Sequence, residues 1–177
     1  YNIQADMKNK PLPPLNPATK EPLSAEDLAH IFSMECAKQE LDSEHAWIDI
    51  PEEVQDKYKY YRSTPLVRAY ALEQALNTPA HIYFKNESIN PLGSHKINSA
   101  LPQCYYCKQE GTTNVTTETG AGQWGAALSY AASVFGLSAA VYQVKISMQQ
   151  KPYRSLIMRT FGAEVTGSPS MSTRAGK

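Results

Sequence analysis

Two short stretches of the chain carry residue types that could perform chemistry, and the first is NPLGSHKIN, residues 90–98. Gly93 lets the backbone approach a ligand closely, and Lys96 is predicted at or just inside the start of a helix. Because a helix N-terminus is electrostatically positive, this position favours a neutral amine and suits a lysine that forms a Schiff base. The amides exposed there, with His95, could hold a phosphate. The alternative is a solvated loop lysine beside a loop histidine.

The second stretch is TTETGAGQWG, residues 116–125, which contains three glycines. The amides of residues 119–123 open a predicted helix, and together they form a pocket for an anion. The glycine spacing matches neither a nucleoside-triphosphate loop nor a dinucleotide loop, so a carboxylate is a suitable anion. Glu118 directly precedes the pocket and could exchange protons with whatever is bound there. The alternative is a strand-end glutamate in solvent.

The elements around the second stretch predict the fold class. Strands are predicted over residues 114–118, 138–145 and 163–168, and helices over 123–135 and 153–162. Strands that alternate with helices through short connections are typical of an α/β fold with a mainly parallel sheet and helices on both faces. Ligands bind such sheets at the carboxyl ends of the strands, which is where both stretches are predicted to lie.

The first half of the chain is predicted to be more irregular. Prolines dominate residues 11–24, and a helix is predicted from about Ala25 to Leu41, after a capping-box pattern. A short helix follows Pro51, and another is predicted over 66–76. Residues 81–87 alternate apolar and polar side chains and predict a strand. The helix that carries the lysine is predicted from His95 or Lys96 to Glu110.

Composition excludes several classes of partner. Lys and Arg together number 17, as do Asp and Glu, which gives no electrostatic reason to expect nucleic acid or an anionic membrane surface. No apolar run approaches the ~20 residues of a membrane span. The three cysteines suit a reducing compartment and predict a cytoplasmic location.

Cys104 and Cys107 have the CxxC spacing of zinc and redox sites. No second cysteine pair accompanies them, and the surrounding ALPQCYYCKQE predicts a helix that uses both as small apolar residues. We therefore predict no metal site.

Taken together, GSHKIN and ETGAGQWG resemble the β chain of tryptophan synthase, a pyridoxal-phosphate enzyme of fold type II. RSTPLVRA resembles an entry motif of that family. The proline-rich start, WIDIPEEV and QKPYRSLIMRTFGAEV are similar to the longer, N-terminally extended second type of β chain. The resemblance covers nearly the whole chain. Trp124 stands where the common type has a histidine, and Asn90-Pro-Leu92 is not the commonest form of either type.

The resemblance implies a role for each matching residue. Lys96 would hold pyridoxal 5'-phosphate as a Schiff base and act as the proton-transfer base, with His95 near the cofactor phosphate. Glu118 would assist loss of the serine hydroxyl and steer indole, and Gln123 would lie near the cofactor ring. The substrate carboxylate would bind the loop formed by Thr119, Gly120, Ala121, Gly122 and Gln123. The implied reaction is β-replacement, in which L-serine and indole give L-tryptophan and water.

The resemblance also implies an organisation. Residues 1–58 would be the N-terminal extension, 59–110 the start of the cofactor domain, and 111–177 the carboxylate loop with a truncated, mobile communication-type region. The full-length protein would be a homodimer, and an α chain is a possible partner. Both ends look cut, and the family's glycine-rich phosphate cup and its contact to the pyridine nitrogen are expected beyond Lys177. The 177-residue chain alone is therefore predicted to hold the cofactor weakly and to be inactive.

The sequence leaves two alternatives open. One keeps the fold and the cofactor but changes the reaction to that of a serine or threonine dehydratase, a cysteine synthase or a threonine synthase. The other is a non-catalytic α/β domain whose glycine loop binds an anionic metabolite.

Overall fold

The computed structural model describes residues 1–173 of the chain. Its second half is built on a parallel sheet with three strands, in the order β3 (Asn114–Thr119), β4 (Ser138–Val144) and β5 (Glu164–Ser168). Helix α6 (Gln123–Phe135) connects β3 to β4. Two helices, α7 (Lys145–Gln150) and α8 (Pro152–Thr160), connect β4 to β5.

This arrangement confirms the α/β class and the parallel sheet predicted from the sequence, and the bounds of α6 are those predicted. The predicted cover on both faces is only half formed by the described residues. Helices α6 and α8 contact each other and the sheet, so they lie on one face. On the other face the side chains of Tyr142 and Val144 of β4 are exposed.

The first half of the chain forms helices α1 (Ala25–Leu28), α2 (Met34–Leu41), α3 (Glu52–Tyr58) and α5 (Ile97–Gln109). The continuous helix predicted over 25–41 is wrong, because the chain breaks between α1 and α2. Ser33 begins α2 by accepting a hydrogen bond from the Cys36 amide (3.3 Å).

The helix predicted over 66–76 is also partly wrong. Strand β1 (Leu66–Arg68) pairs with β2 (Tyr83–Lys85) as an antiparallel ribbon, and only α4 (Tyr70–Ala75) is helical. The bidentate ion pair of Arg68 with Glu73, at 3.0 Å, ties the strand to that helix. This ribbon is separate from the parallel sheet, so the strand predicted over 81–87 is not part of it.

Helix α2 docks on the end of α5 through a carboxylate. Glu110 follows α5 and accepts hydrogen bonds from the amides of Met34 (3.0 Å) and Glu35 (3.2 Å). These amides belong to the first turn of α2 and have no partner within their own helix. A residue distant in sequence thus supplies the hydrogen-bond acceptors for two first-turn amides of α2.

One core joins the two halves. Helix α5 packs on α6, and α3 contributes Val54 and Tyr58 beneath α5. The largest fully buried side chains are Ile97, Leu101, Met158, Gln143, Val54, Val141, Cys104 and Ser129. Burying a large apolar side chain contributes about 1.5–3 kcal/mol, so this core fixes α5 relative to the sheet. None of the helices in residues 1–173 has the length and apolar character needed to cross a membrane.

Helix α6 lies tightly against the sheet at Gly125. A Cβ built on this residue would lie 2.6 Å from Sδ of Met158, 2.8 Å from Cγ1 of Val141 and 2.9 Å from Cγ2 of Thr119. Real Cβ atoms do not come so close to heavy atoms, so only glycine allows this spacing between the helix and the sheet.

We predict that Gly125→Ala destabilises the protein by about 1–3 kcal/mol, because overpacking of a dense core forces neighbours to move. Urea denaturation measures the loss. Ser133→Ala, on the exposed side of the same helix, is the matched control and is expected to change stability by less than about 0.5 kcal/mol. Equal stability of the two variants would contradict the packing described for Gly125.

Candidate active site

The loop before Lys96 is organised by the buried side chain of Asn90. Its Oδ1 accepts hydrogen bonds from the amides of Leu92 (3.0 Å) and Ser94 (3.2 Å). Its Nδ2 donates to the Ser94 carbonyl (3.0 Å) and to Glu87 (3.1 Å). The turn also uses Gly93 at φ +62°, in the left-handed region that favours glycine. The four hydrogen bonds give Lys96 a defined backbone position.

Glu87 is held in turn by a second residue. Its carboxylate accepts a hydrogen bond from the Thr64 hydroxyl (2.7 Å), and this bond holds the pKa of Glu87 below its ordinary value. Glu87 is therefore an ionised acceptor for Asn90 near neutral pH.

Lys96 is the N-cap residue of α5, where the sequence predicted it. Its side chain makes no capping hydrogen bond, and it is half-buried. Two tyrosines fix this end of the helix through Asn98: Tyr58 donates to its carbonyl and Tyr61 donates to its Oδ1 (2.9 Å). Burial raises the pKa of both tyrosines, which keeps both hydroxyls available as donors. The amine is thus carried by a rigid helix start.

The glycine loop connects β3 to α6 as a sharp turn. Gly122 is the N-cap of α6 at φ +93°, and a Cβ on it would lie 2.8 Å from Cβ of Arg154. The buried Thr119 hydroxyl accepts a hydrogen bond from the Gly125 amide (3.2 Å). Within the described chain, no oxygen accepts from the amides of residues 121–124. These amides open the positive end of a 13-residue helix and are free to bind an anion.

The two loops meet at one cavity of about 360 Å³. The cavity is lined by Lys96, Glu118, Thr119, Gly120, Ala121, Gln123 and Trp124. The structure therefore brings the predicted amine, carboxylate and anion-binding loop together, although 21 residues lie between Lys96 and Glu118 in the sequence.

Two residues predicted for the site lie outside the wall of this cavity. His95 is exposed beside Lys96, and Gly122 is buried beneath the loop, where its role is to make the turn. Trp124 also lines the cavity, a position that its departure from the common motif did not predict. Its Nε1 donates to the Thr117 hydroxyl (2.9 Å), which fixes the indole ring at the cavity edge.

A larger cavity, of about 570 Å³, lies on the other side of Trp124. It is bounded by the segment between α1 and α2, by α5 and by β3, and it contains neither Lys96 nor Glu118. The smaller cavity is the candidate active site, because an amine, a carboxylate and the helix amides of the glycine loop all line it. The larger cavity does not combine these groups.

The cysteines behave as apolar residues of helices. Cys104 is fully buried on α5, and burial raises the pKa of its thiol to about 12. Burial also raises the pKa of Cys36 and Cys107. All three thiols are free, and the described residues contain no group of three or more metal-binding side chains.

Comparison with known proteins identifies relatives of the whole chain. A family model described as "Pyridoxal-phosphate dependent enzyme" matches residues 58–176. "Tryptophan synthase beta chain 2" of Thermotoga maritima is 53% identical over 177 residues, and that of Pyrococcus furiosus is 52% identical over 178. "Tryptophan synthase beta chain" of Thermosipho africanus is 49% identical over 177 residues. Each match covers 100% of this chain but only 40–42% of the relative, so the chain spans about two fifths of their length.

Solved structures show the same fold at lower identity. A pyridoxal 5'-phosphate-dependent aspartate racemase aligns with a TM-score of 0.54 and 23% identity, over 72% of this chain and 42% of that one. Diaminopropionate ammonia lyase of Escherichia coli, in its apo form, gives the same TM-score and identity over 66% and 36% of the two chains.

The hydrogen bonds of Asn90 lead to a prediction for the lysine loop. Asn90→Ala is expected to lower the free energy of unfolding by about 1–3 kcal/mol, because it leaves buried amides of the loop without an acceptor. Asn114→Ala, at an exposed asparagine that bonds only to the adjacent Thr113, is the matched control. Urea denaturation of both variants checks the difference. If Asn90→Ala were as stable as the control, the loop would not depend on this side chain.

Proposed function

The chain belongs to the pyridoxal-phosphate dependent enzyme family, and from this premise we propose that the protein carrying it converts L-serine and indole to L-tryptophan and water. The proposal is supported by relatives about 50% identical over the whole chain that are tryptophan synthase β chains. Because the chain spans about two fifths of those relatives, the activity is proposed for the longer protein, and the remaining contacts to the cofactor are expected from the remainder.

The observation that carries the proposal is the cavity shared by Lys96, Glu118 and the glycine loop. A β-replacement needs an amine that holds the cofactor, a site for the amino-acid carboxylate and a group that handles the leaving hydroxyl. Lys96, the loop amides and Glu118, which all line this cavity, would meet these three needs. The residues present therefore fit pyridoxal phosphate with a bound amino acid. When bound, the cofactor supplies an electron sink for the bonds of the substrate α-carbon.

Lys96 would hold the cofactor through Nζ and then move a proton at the same atom. The rigid start of α5 suits both tasks, because a proton-transfer group must return to the same position after each step. His95, exposed beside it, is proposed to contact the cofactor phosphate, and Gln123 to lie near the cofactor ring.

The loop of residues 119–123 would bind the carboxylate of L-serine. Its free amides can donate to both carboxylate oxygens, and charge-assisted hydrogen bonds of this kind are stronger than neutral ones. Holding the carboxylate fixes the orientation of the α-carbon relative to Lys96. The loop thereby positions the substrate without a cationic side chain.

Glu118 would act on the other end of the substrate. It ends β3 next to the carboxylate loop, and its exposed side chain faces the shared cavity. Proton donation from this carboxyl group would assist departure of the serine hydroxyl as water, and the resulting carboxylate would then orient the N–H of indole. Trp124 would provide an apolar edge to the same space.

The partners of the longer protein are also part of the proposal. L-Serine and indole are its small-molecule substrates, and a homodimer is the expected assembly. An α chain that supplies indole is a further candidate partner.

We predict that the longer protein, loaded with pyridoxal phosphate, shows a visible absorbance band that shifts on addition of L-serine. Lys96→Ala is expected to lose the band, because the amine that holds the cofactor is absent. Lys145→Ala, at an exposed lysine of α7, should keep it and is the matched control. A band that survives in Lys96→Ala would mean that the lysine is not the anchor.

We further predict that Glu118→Gln lowers the rate of L-tryptophan formation by about 100-fold or more, in the range of a lost general acid–base. The serine-induced spectral shift should persist, since the carboxylate loop is intact. Steady-state turnover with and without indole measures both effects. Indole-independent release of a keto acid at an undiminished rate would instead indicate a dehydratase.

A further inference from the structure

Gln143 is a fully buried polar side chain in the middle of the core, on β4. Its Oε1 accepts a hydrogen bond from the Ser155 hydroxyl of α8 at 2.9 Å. Its Nε2 has no hydrogen-bond partner among the described residues, and it is the one buried side-chain nitrogen or oxygen of this part of the chain in that condition. A buried unpaired donor is costly, so its retention in a packed core needs an explanation.

The Nε2 atom of Gln143 lies against the core side of the loop of residues 119–123, the carboxylate loop. In the sheet register Gln143 is paired with Thr119, the last residue of β3 before the loop turns. A Cβ built on Gly122 would lie 3.0 Å from Nε2, so the amide occupies the space that a larger residue would need. Gly122 is itself buried, which places this contact inside the protein rather than in the cavity.

The loop offers acceptors for this donor. Within the described residues, the carbonyls of Gly120 and Ala121 accept no hydrogen bond from any backbone amide or side chain. The neighbouring amides, from Ala121 onwards, form the positive end of α6. A donor on the core side of the loop and an anion on its cavity side would therefore hydrogen-bond to the same peptide groups from opposite sides.

We propose that Gln143 is a positioning residue for the carboxylate loop. When the carboxylate of L-serine binds the loop amides, Nε2 donates to the carbonyl of Gly120 or Ala121, and Ser155 fixes the orientation of the Gln143 amide. The inference rests on the proposed function, because the ligand is the substrate carboxylate. Gln143 does not line the cavity, so it acts on the substrate only through the loop.

The pair can be removed without leaving a buried group unpaired. The double variant Gln143→Met, Ser155→Ala replaces both partners by apolar side chains, a change that is often neutral or stabilising. We expect the melting temperature of the ligand-free protein to stay the same or to rise. The KM for L-serine should rise about tenfold, the effect of one lost hydrogen bond, while the KM for indole stays constant.

A second readout does not depend on turnover. In the cofactor-loaded longer protein, L-serine should slow amide hydrogen exchange in peptides that cover residues 119–124. The double variant should lose most of this slowing. Thr160→Ala, at an exposed threonine of the same helix α8, is the matched control and should keep it. Ser155→Ala alone tests the same inference if the double variant does not fold, and it should raise the KM for L-serine by a smaller factor.

The outcomes separate this inference from the proposed function. An unchanged KM for L-serine and unchanged exchange in the variants would overturn the role of Gln143 while the wild-type enzyme still converts its substrates. A variant that is less stable but has an unchanged KM for L-serine would also overturn this role, because Gln143 would then be a purely structural side chain. A wild-type protein that neither turns over L-serine nor shows serine-dependent exchange would overturn the proposed function and this inference with it.

Discussion

The close contact between α6 and the parallel sheet at Gly125 is the constraint on which the candidate site depends. With glycine at this position, the helix lies near enough to β3 and β4 for the connecting loop to turn sharply. Within residues 1–173, the turn leaves the first helix amides without acceptors at the carboxyl end of β3, next to Glu118. A wider spacing would lengthen the loop path and separate the amides from the carboxylate. The chemistry proposed for the loop therefore begins with a packing contact in the core.

The lysine loop is built by different forces but is tied to the same core. Asn90 shapes it with four hydrogen bonds, and Tyr58 and Tyr61 hold the first turn of α5. Helix α5 then packs along α6, so the two helix starts face one cavity. The distance between the amine and the anion-binding loop is thus set by helix packing, which is stiffer than either loop.

Local patterns in the sequence predicted the three strands and helices α6 and α8 of the second half, because apolar periodicity and terminal glycines such as Gly136 mark them clearly. Helix α7 was not predicted. They also predicted that Lys96, Glu118 and the loop of residues 119–123 would carry the chemistry. Strand β1 was missed, since a three-residue strand has too little periodicity to be distinguished from helix. The strand predicted over residues 81–87 contains β2, but its pairing with β1 was not predicted. The roles of Asn90 and Gln143 could not be seen either, because they depend on partners that only the tertiary fold brings close.

The capping of α2 by Glu110 has a consequence for the order in which the chain acquires its structure. An eight-residue helix is too short to persist by itself in water. Two of the three side-chain hydrogen bonds to its first-turn amides come from a carboxylate 75 residues or more along the chain. That carboxylate is in place only after α5 has formed on the core. The segment of residues 1–41, which ends with α2, should therefore fold last and unfold first, after the core has formed.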